Sequence, residues 1–319
     1  MRRDHMEHEQ QKQQSGLVLA LAAAFCCLLW GSAFSGVKIG YGLLHIDASD
    51  WASQMVFAGV RFFIAGIMAL LGGSVILKKP LLPTKSSVPK FITISLFQTI
   101  LQYFFYYIGL AHTTGVKAAI IVAANVFTAI LLSSLLFRME KLTTRKIIGC
   151  CIGFAGIVLI NLQGAGGDLH FTFLGDGFIF LCTVASGFSS VFMKRYSAEE
   201  EPFLLSGWQF TFGGAVMWLI GFCCCGRMQI DSVKAWLMLL YLAFVSAAAY
   251  SVWAMLLRRN PVSRVTVYGF LNPMFGVIIS GYVLHEESAF TLIGVLSLVL
   301  VCVGIGVVNY QKQEHKQDQ

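Results

Sequence analysis

Residues 109–161 read GLAHTTGVKAAIIVAANVFTAILLSSLLFRMEKLTTRKIIGCCIGFAGIVLIN, and residues 256–309 read LLRRNPVSRVTVYGFLNPMFGVIISGYVLHEESAFTLIGVLSLVLVCVGIGVVN. Each stretch carries an asparagine inside an apolar run, Asn125 in the first and Asn272 followed by Pro273 in the second. An acidic residue comes next, Glu140 or Glu286. A glycine-bearing apolar run then closes on Asn161 or Asn309, through Gly149, Gly153 and Gly156 or through Gly294, Gly304 and Gly306. The order matches, and the spacing slips by two: fifteen residues separate Asn125 from Glu140 and thirteen separate Pro273 from Glu286. The runs are long enough for bilayer-spanning helices, which need about 20 mostly apolar residues. The chain therefore holds one membrane segment twice.

The rest of the chain extends this pattern. Its 319 residues are 57% hydrophobic and 12% charged, with a mean hydropathy of +0.73; a soluble domain carries about 25% charged residues. Ten apolar runs fit, near residues 17–39, 52–77, 90–110, 114–137, 144–162, 174–194, 203–225, 234–257, 264–284 and 289–309. The expected fold is an all-α polytopic membrane protein of ten transmembrane helices, arranged as two inverted five-helix repeats. An odd number of crossings per repeat makes the second enter the membrane from the opposite side, an architecture built for alternating access. The expected divisions are a cytoplasmic tail over 1–16, a first repeat over 17–162, an external linker over 163–173, a second repeat over 174–309 and a cytoplasmic tail over 310–319. The run at Gly16–Ile39 is too long for a signal-peptide core and is read as the first span. The loops are too short for a catalytic domain outside the membrane.

Charge gives the orientation. Eighteen of the 23 Lys and Arg fall in the tails and alternate loops on one side, and only Arg227 and Lys234 in the loops opposite. The positive-inside rule makes both termini cytoplasmic in a multi-pass protein of the cytoplasmic (inner) membrane. The net charge of +7 is thus spread over every cytoplasmic loop, which excludes a nucleic-acid surface. All nine cysteines lie in apolar runs without metal-ligand spacing, so no metal, cofactor or disulfide is expected.

Few polar residues interrupt the spans. Arg61 sits about ten residues into the second span, where a charge faces a cavity or a partner; it is a gate or anion contact, or an arginine that snorkels or pairs for structure, and no acidic residue in a span is its evident partner. Lys38 and Lys117 sit at span ends, where snorkelling suffices. Gln98, Gln102 and Tyr106 recur every four residues in the third span, a stripe that faces protein or water. Thr183, Ser186 and Ser190 form a weaker stripe that suits helix packing. Asn125 and Asn272 take related places near mid-membrane, where a substrate would sit at the repeat interface. Trp30, Trp208, Tyr250, Trp253 and Tyr268 are candidate cavity walls. The expected substrate contacts are thus Trp30, Gln98, Gln102, Tyr106, Asn125, Trp208, Tyr250 and Asn272, with Arg61 for gating or charge. Glu140 and Glu286 end their spans and are expected to cap or pair. No P-loop, HExxH, GxSxG or paired intramembrane carboxylates occur, so the chain is not expected to be an enzyme.

At four places the chain resembles the drug/metabolite transporter superfamily, in its EamA-like branch. These are Leu29-Trp30-Gly31-Ser32, Arg61-Phe62 with Ala65, Glu140-Lys141-Leu142-Thr143 followed by Gly149 and Gly153, and Pro273 with Glu286. The chain has Asn125 where the family often has a proline, and Met139 and His285 where a glycine usually precedes the acid. The resemblance implies a secondary transporter of a small organic solute, amino-acid-like or drug-like, with export the expected direction. A coupling ion, proton or sodium, and membrane lipids are the other partners, and both a monomer and a homodimer fit. The alternatives are a polytopic enzyme acting on lipid-linked substrates and a transport-dead receptor. The loop charges generate a test: cysteines introduced near Gly166 and Glu286 are expected to react with an impermeant thiol reagent in intact cells, and cysteines near Lys85 and Lys141 to stay unlabelled.

Overall fold

The computed structural model describes residues 16–47, 49–113, 115–162, 171–283 and 292–310. Most of both tails, most of the linker and Glu286 lie outside the described residues, as does the side chain of Lys117. Among the described residues every regular element is helical. The chain runs through α1 (Gly16–Leu43), α2 (Trp51–Leu77) and α3 (Ser87–Ser95), which passes through a π turn (Leu96–Leu101) into α4 (Gln102–Ala111). There follow α5 (Gly115–Ala123), α6 (Asn125–Leu131) with a π turn (Leu132–Leu136), and α7 (Thr144–Leu162). A π turn (Phe173–Gly177) opens α8 (Phe178–Tyr196), and α9 (Pro202–Cys223) and α10 (Val233–Arg259) follow. Last come α11 (Val262–Thr266), a 3-10 turn (Val267–Phe270), α12 (Leu271–Val283) and α13 (Leu292–Asn309).

Seven helical stretches are long and apolar enough to cross a bilayer, by length and composition: Gly16–Leu43, Trp51–Leu77, Ser87–Leu110, Phe173–Tyr196, Pro202–Cys223, Val233–Arg259 and Leu292–Asn309. They coincide with seven of the ten expected runs. The fifth run forms the continuous helix α7. The fourth and ninth are broken. Helix α5 stops at Ala123, Ala124 makes a turn, and α6 restarts at Asn125; α11 passes through the 3-10 turn before α12 restarts at Leu271. Asn125 lies fifteen residues before Glu140, and Leu271 fifteen before Glu286. The matched positions are therefore the helix restarts, and counting from them removes the two-residue slip. The break in the fourth run forms without the proline that stands in the ninth.

Helix pairing is set by glycine. In hydrocarbon, apolar side chains gain nothing from leaving lipid, so helices associate where backbones approach closely. Helices α2 and α9 pack along most of their length, and their glycines recur every seven residues: Gly59, Gly66 and Gly73 on α2, Gly207, Gly214 and Gly221 on α9. A Cβ on Gly59 would lie 2.3 Å from the Trp218 nitrogen, one on Gly66 2.3 Å from the Thr211 Oγ1, and one on Gly214 2.4 Å from the Phe63 nitrogen. Helices α7 and α13 cross in the same way, with Gly149 and Gly304 each facing the other's carbonyl at 2.8 and 2.6 Å from a built Cβ. The cysteines are free thiols. Cys26 and Cys27 donate to the Ala249 and Tyr268 carbonyls at 3.4 and 3.2 Å, a packing role.

Contacts gather the connections into two groups. In one, Lys90 pairs with Glu199 and Glu200 at 2.8 and 2.9 Å, while Lys79 and Arg258 pair with Glu201 at 3.7 and 3.3 Å. Glu140 meets Ser263, and Arg145 lies over the Tyr310 ring, 5.3 Å from its centre. In the other, His45 pairs with Asp231 at 3.5 Å, the Arg227 nitrogen donates to Ser53 Oγ at 2.8 Å, and Thr113 and Thr172 tie the 112–113 connection to Asp176 and His112. The basic loops fall in the first group.

The α2–α9 crossing yields a paired test. Gly66→Val is expected to destabilise the protein by about 1–3 kcal/mol, the range for overpacking. Gly72→Val, at a position where a Cβ meets nothing within 4 Å, should leave the thermal-unfolding midpoint in detergent unchanged.

Candidate functional site

Arg61 stands on α2 two residues past Gly59, on a helix locked against α9. It is 5% exposed, its Nε is buried without a hydrogen bond, and no acidic group pairs with it among the described residues. Its guanidinium lies over the Phe62 ring at 4.4 Å from the centre and 5.8 Å from that of Phe57. A guanidinium keeps its charge at any accessible pH, so the surroundings must accept a cation. They do so with aromatic rings. The phenols of Tyr41 on α1, Tyr103, Tyr106 and Tyr107 on α4, and Tyr250 on α10 lie within its electrostatic reach.

These rings form a wall. Phe62 stacks on Phe210 of α9 with centroids 5.0 Å apart and planes 2° from parallel, and Tyr103 lies 4.7 Å from Phe62. The Tyr103 and Tyr250 hydroxyls meet at 3.3 Å. Trp30 of α1 stands edge-on to Tyr250 and Trp253 at 5.0 Å each, its Nε1 buried without an acceptor. Trp30, Tyr103, Tyr106 and Tyr250 are only half-buried, although each is ringed by other side chains from several helices. The wall thus draws rings from α1, α2, α4, α9 and α10.

Unpaired amides lie on the helices around it. Gln98 is buried in the π turn Leu96–Leu101 with its Oε1 unbonded, and beside it Thr99 donates to Gln209 Oε1 at 2.7 Å, leaving Gln209 Nε2 unbonded. Asn272, at the start of α12, has a buried, unbonded Oδ1; α12 meets α1 at Gly31, where a Cβ would sit 2.6 Å from that of Phe275. Buried amides without partners are rare because each costs roughly 1–3 kcal/mol.

The structure thus brings Arg61, Trp30, Tyr106 and Tyr250 together, with Gln98 and Asn272 on adjoining helices. Trp208 points elsewhere: its Nε1 donates to the Leu81 carbonyl at 2.9 Å, and its ring stacks near Phe91. Asn125 begins α6, and its carbonyl accepts from Thr128 Oγ1, which also meets the Thr183 carbonyl of α8 at 2.9 Å. Gln102 begins α4 and is half-buried. The expected four-residue stripe does not run straight, because the π turn widens the helix just before Gln102. Tyr103 and Tyr107 join Tyr106 within electrostatic reach of Arg61, with Tyr41, Phe210 and Gln209 among the residues that sequence reasoning missed. Tyr103, Tyr106 and Tyr107 share one face at i, i+3 and i+4, and that was the available signal. Thr183 and Ser190 bond carbonyls of their own helix, in keeping with packing.

At the basic end, Glu140 caps and pairs as expected. One carboxylate oxygen accepts from Ser133 Oγ at 2.7 Å and from the Ser263 backbone N–H at 2.9 Å; the other accepts from Lys146 Nζ at 2.6 Å and from Ser263 Oγ. Ser263 lies in the first turn of α11, so Glu140 fastens the end of the fourth run to the beginning of the ninth. Burial works to raise its pKa, but the bonds from Lys146, Ser263 and Ser133 outweigh it and hold the carboxyl below its ordinary 4.5.

The EamA-like transporter family model matches residues 14–162 and 173–310. The chain belongs to the EamA-like transporter family. It is 26% identical over 300 residues to the uncharacterized transporter YvbV of Bacillus subtilis (strain 168), covering 93% of each chain. It is 30% identical to an uncharacterized transporter of Archaeoglobus fulgidus, covering 86% of this chain and 92% of that one. It is 26% identical to the uncharacterized inner membrane transporter YedA of Escherichia coli (strain K12), covering 88% of each. A solved crystal structure shares the fold, with a TM-score of 0.75 at 18% identity over 92% of this chain and 96% of that one. This EamA-like chain is accordingly a multi-pass membrane protein of a family of small-solute transporters.

The depressed Glu140 pKa generates a pH test. The folded-state value lies below the unfolded one, so the stabilisation is present above about pH 4.5 and is lost as pH falls through the folded value. Glu140→Gln should lower stability at pH 7 by about 2 kcal/mol, as for a hydrogen-bonded buried charge. The two unfolding midpoints should converge as the pH is lowered below 4.

Proposed function

We propose that the chain is a secondary transporter of ten crossings, built as two inverted five-helix repeats with both termini cytoplasmic. It moves a small organic solute out across the cytoplasmic membrane by alternating access, and the chamber at Arg61 receives that solute. The observation that carries this reading is a buried cation with no acidic partner among the described residues, set among five phenols between α1, α2, α4, α9 and α10. Such a charge is costly in a membrane protein and marks a ligand path. The chamber suits a solute with one acidic group and an apolar or aromatic body, because a guanidinium and π faces attract those two parts separately.

The repeat reading has its own support. The helices that pack most closely, α2 with α9 and α7 with α13, are the second and seventh and the fifth and tenth runs, which an inverted repeat relates to each other. The helix restarts at Asn125 and Leu271 stand at equal distances from Glu140 and Glu286. The family match falls in two blocks, one in each half. Alternation then means that the basic end, held by Glu140 and by the ion pairs of Glu199, Glu200 and Glu201, opens when the other end closes. Asn272 and Gln98 are the amides we assign to the solute; Asn125 and Gln102 remain candidates as second contacts, and Trp208 we assign to the Leu81 connection.

Counterflow of candidate solutes in proteoliposomes tests the proposal. Arg61→Lys is expected to keep partial flux and Arg61→Gln to lose most of it, while Asn272→Ala weakens apparent affinity about tenfold, the equivalent of roughly 1.4 kcal/mol. Full flux in a well-expressed Arg61→Gln variant would remove Arg61 from the solute path. An Asn272→Ala variant with lowered stability and unchanged affinity would make that amide a packing group.

A further inference from the structure

A second cationic site lies far from Arg61 along the chain, at the basic end of the bundle. A cleft of about 520 Å³ is lined by Thr143, Thr144, Arg145 and Lys146 before and in α7, by Pro261, Ser263 and Arg264 at α11, and by Asn309 and Tyr310 at the end of α13. Glu140 also lines it, but both its oxygens are committed to Lys146, Ser133 and Ser263. That pairing neutralises Lys146 and leaves two cations, Arg145 and Arg264, with no ion pair among the described residues. Arg264 has its Nε and Nη1 buried without a hydrogen-bond partner, and Arg145 is exposed over the Tyr310 ring. Asn309 spends its amide N–H on the Ile305 carbonyl at 3.1 Å, and its buried Oδ1 has no donor. The lining therefore carries unspent positive charge, beside the hydroxyls of Thr143 and Thr144.

The place of the cleft selects the ligand. Its walls continue along α7 and α13 into exposed apolar side chains, Ile147, Ile148 and Val303, of the kind that faces acyl chains. It thus lies where a basic loop meets lipid-facing surface, the level of phospholipid headgroups. We propose that this cleft binds the phosphate of an acidic phospholipid, with Arg145 and Arg264 as its cationic contacts. Basic pockets between transmembrane helices bind headgroups of this class, and guanidinium favours phosphate. The site adjoins the Glu140 contact between the connection before α7 and α11, so an occupant would brace the same end of the bundle. It needs only the membrane setting and does not rest on the solute chamber.

Thermal unfolding of the purified full chain in detergent tests it, with dioleoyl phosphatidylglycerol, dioleoyl phosphatidylcholine and inorganic phosphate as separate additives. Phosphatidylglycerol is expected to raise the midpoint by about 3 °C more than phosphatidylcholine does, with inorganic phosphate inert. Arg145→Gln should lose at least half of that difference, Arg264→Gln nearly all, and Arg264→Lys should retain part. Arg145 is exposed, so its variant carries the test if Arg264→Gln does not fold. Equal shifts with the two lipids, or an undiminished difference in Arg145→Gln, would overturn the site. A shift reproduced by inorganic phosphate would overturn its assignment to lipid.

Discussion

The bundle depends on backbone-to-backbone contact between α2 and α9. Two helices immersed in lipid gain little by hiding apolar side chains from a solvent equally apolar, and only shape and close approach hold them. The seven-residue glycine rows supply that approach from both sides, with Gly59 against Trp218, Gly66 against Thr211 and Gly214 against Phe63. Arg61 and Phe62 sit between Gly59 and Gly66 on the same helix. The crossing that fixes α2 therefore also fixes the cation, and it brings Phe210 of α9 flat against Phe62.

From that placement the surroundings of Arg61 follow. A guanidinium in the interior of a membrane protein needs compensation, and Phe62, Phe57 and the five phenols provide it in a diffuse form that leaves its Nε without a hydrogen bond. A carboxylate partner would have satisfied Arg61 fully and closed the site. Rings instead stabilise the charge without neutralising it.

The two ends of the bundle are held differently from its middle. At the basic end, Glu140, Glu199, Glu200 and Glu201 each bind cations or helix N–H groups from other connections. The Glu201 pairs with Lys79 and Arg258 are partly exposed, where ion pairs break and reform at modest cost, while the Glu140 contact is buried. The mid-bundle glycine contacts are fixed by sterics and carry no such option.

The sequence by itself determined the membrane character and the family, because these rest on composition and on short motifs along the chain. It also determined that Arg61 is special, since a lone charge in an apolar run is visible in one dimension. Only the tertiary structure decided what surrounds Arg61. Tyr41, Tyr103, Tyr250 and Phe210 come from four helices distant in sequence, and the π turn Leu96–Leu101 shifts the face on which Gln98, Gln102 and Tyr106 had been aligned. The same turn from pattern to contact separated Trp208, spent on the Leu81 carbonyl, from Trp30, which has no acceptor. Linear spacing records which residues share a helix face only while the helix keeps its period, and which faces meet is set by the crossings.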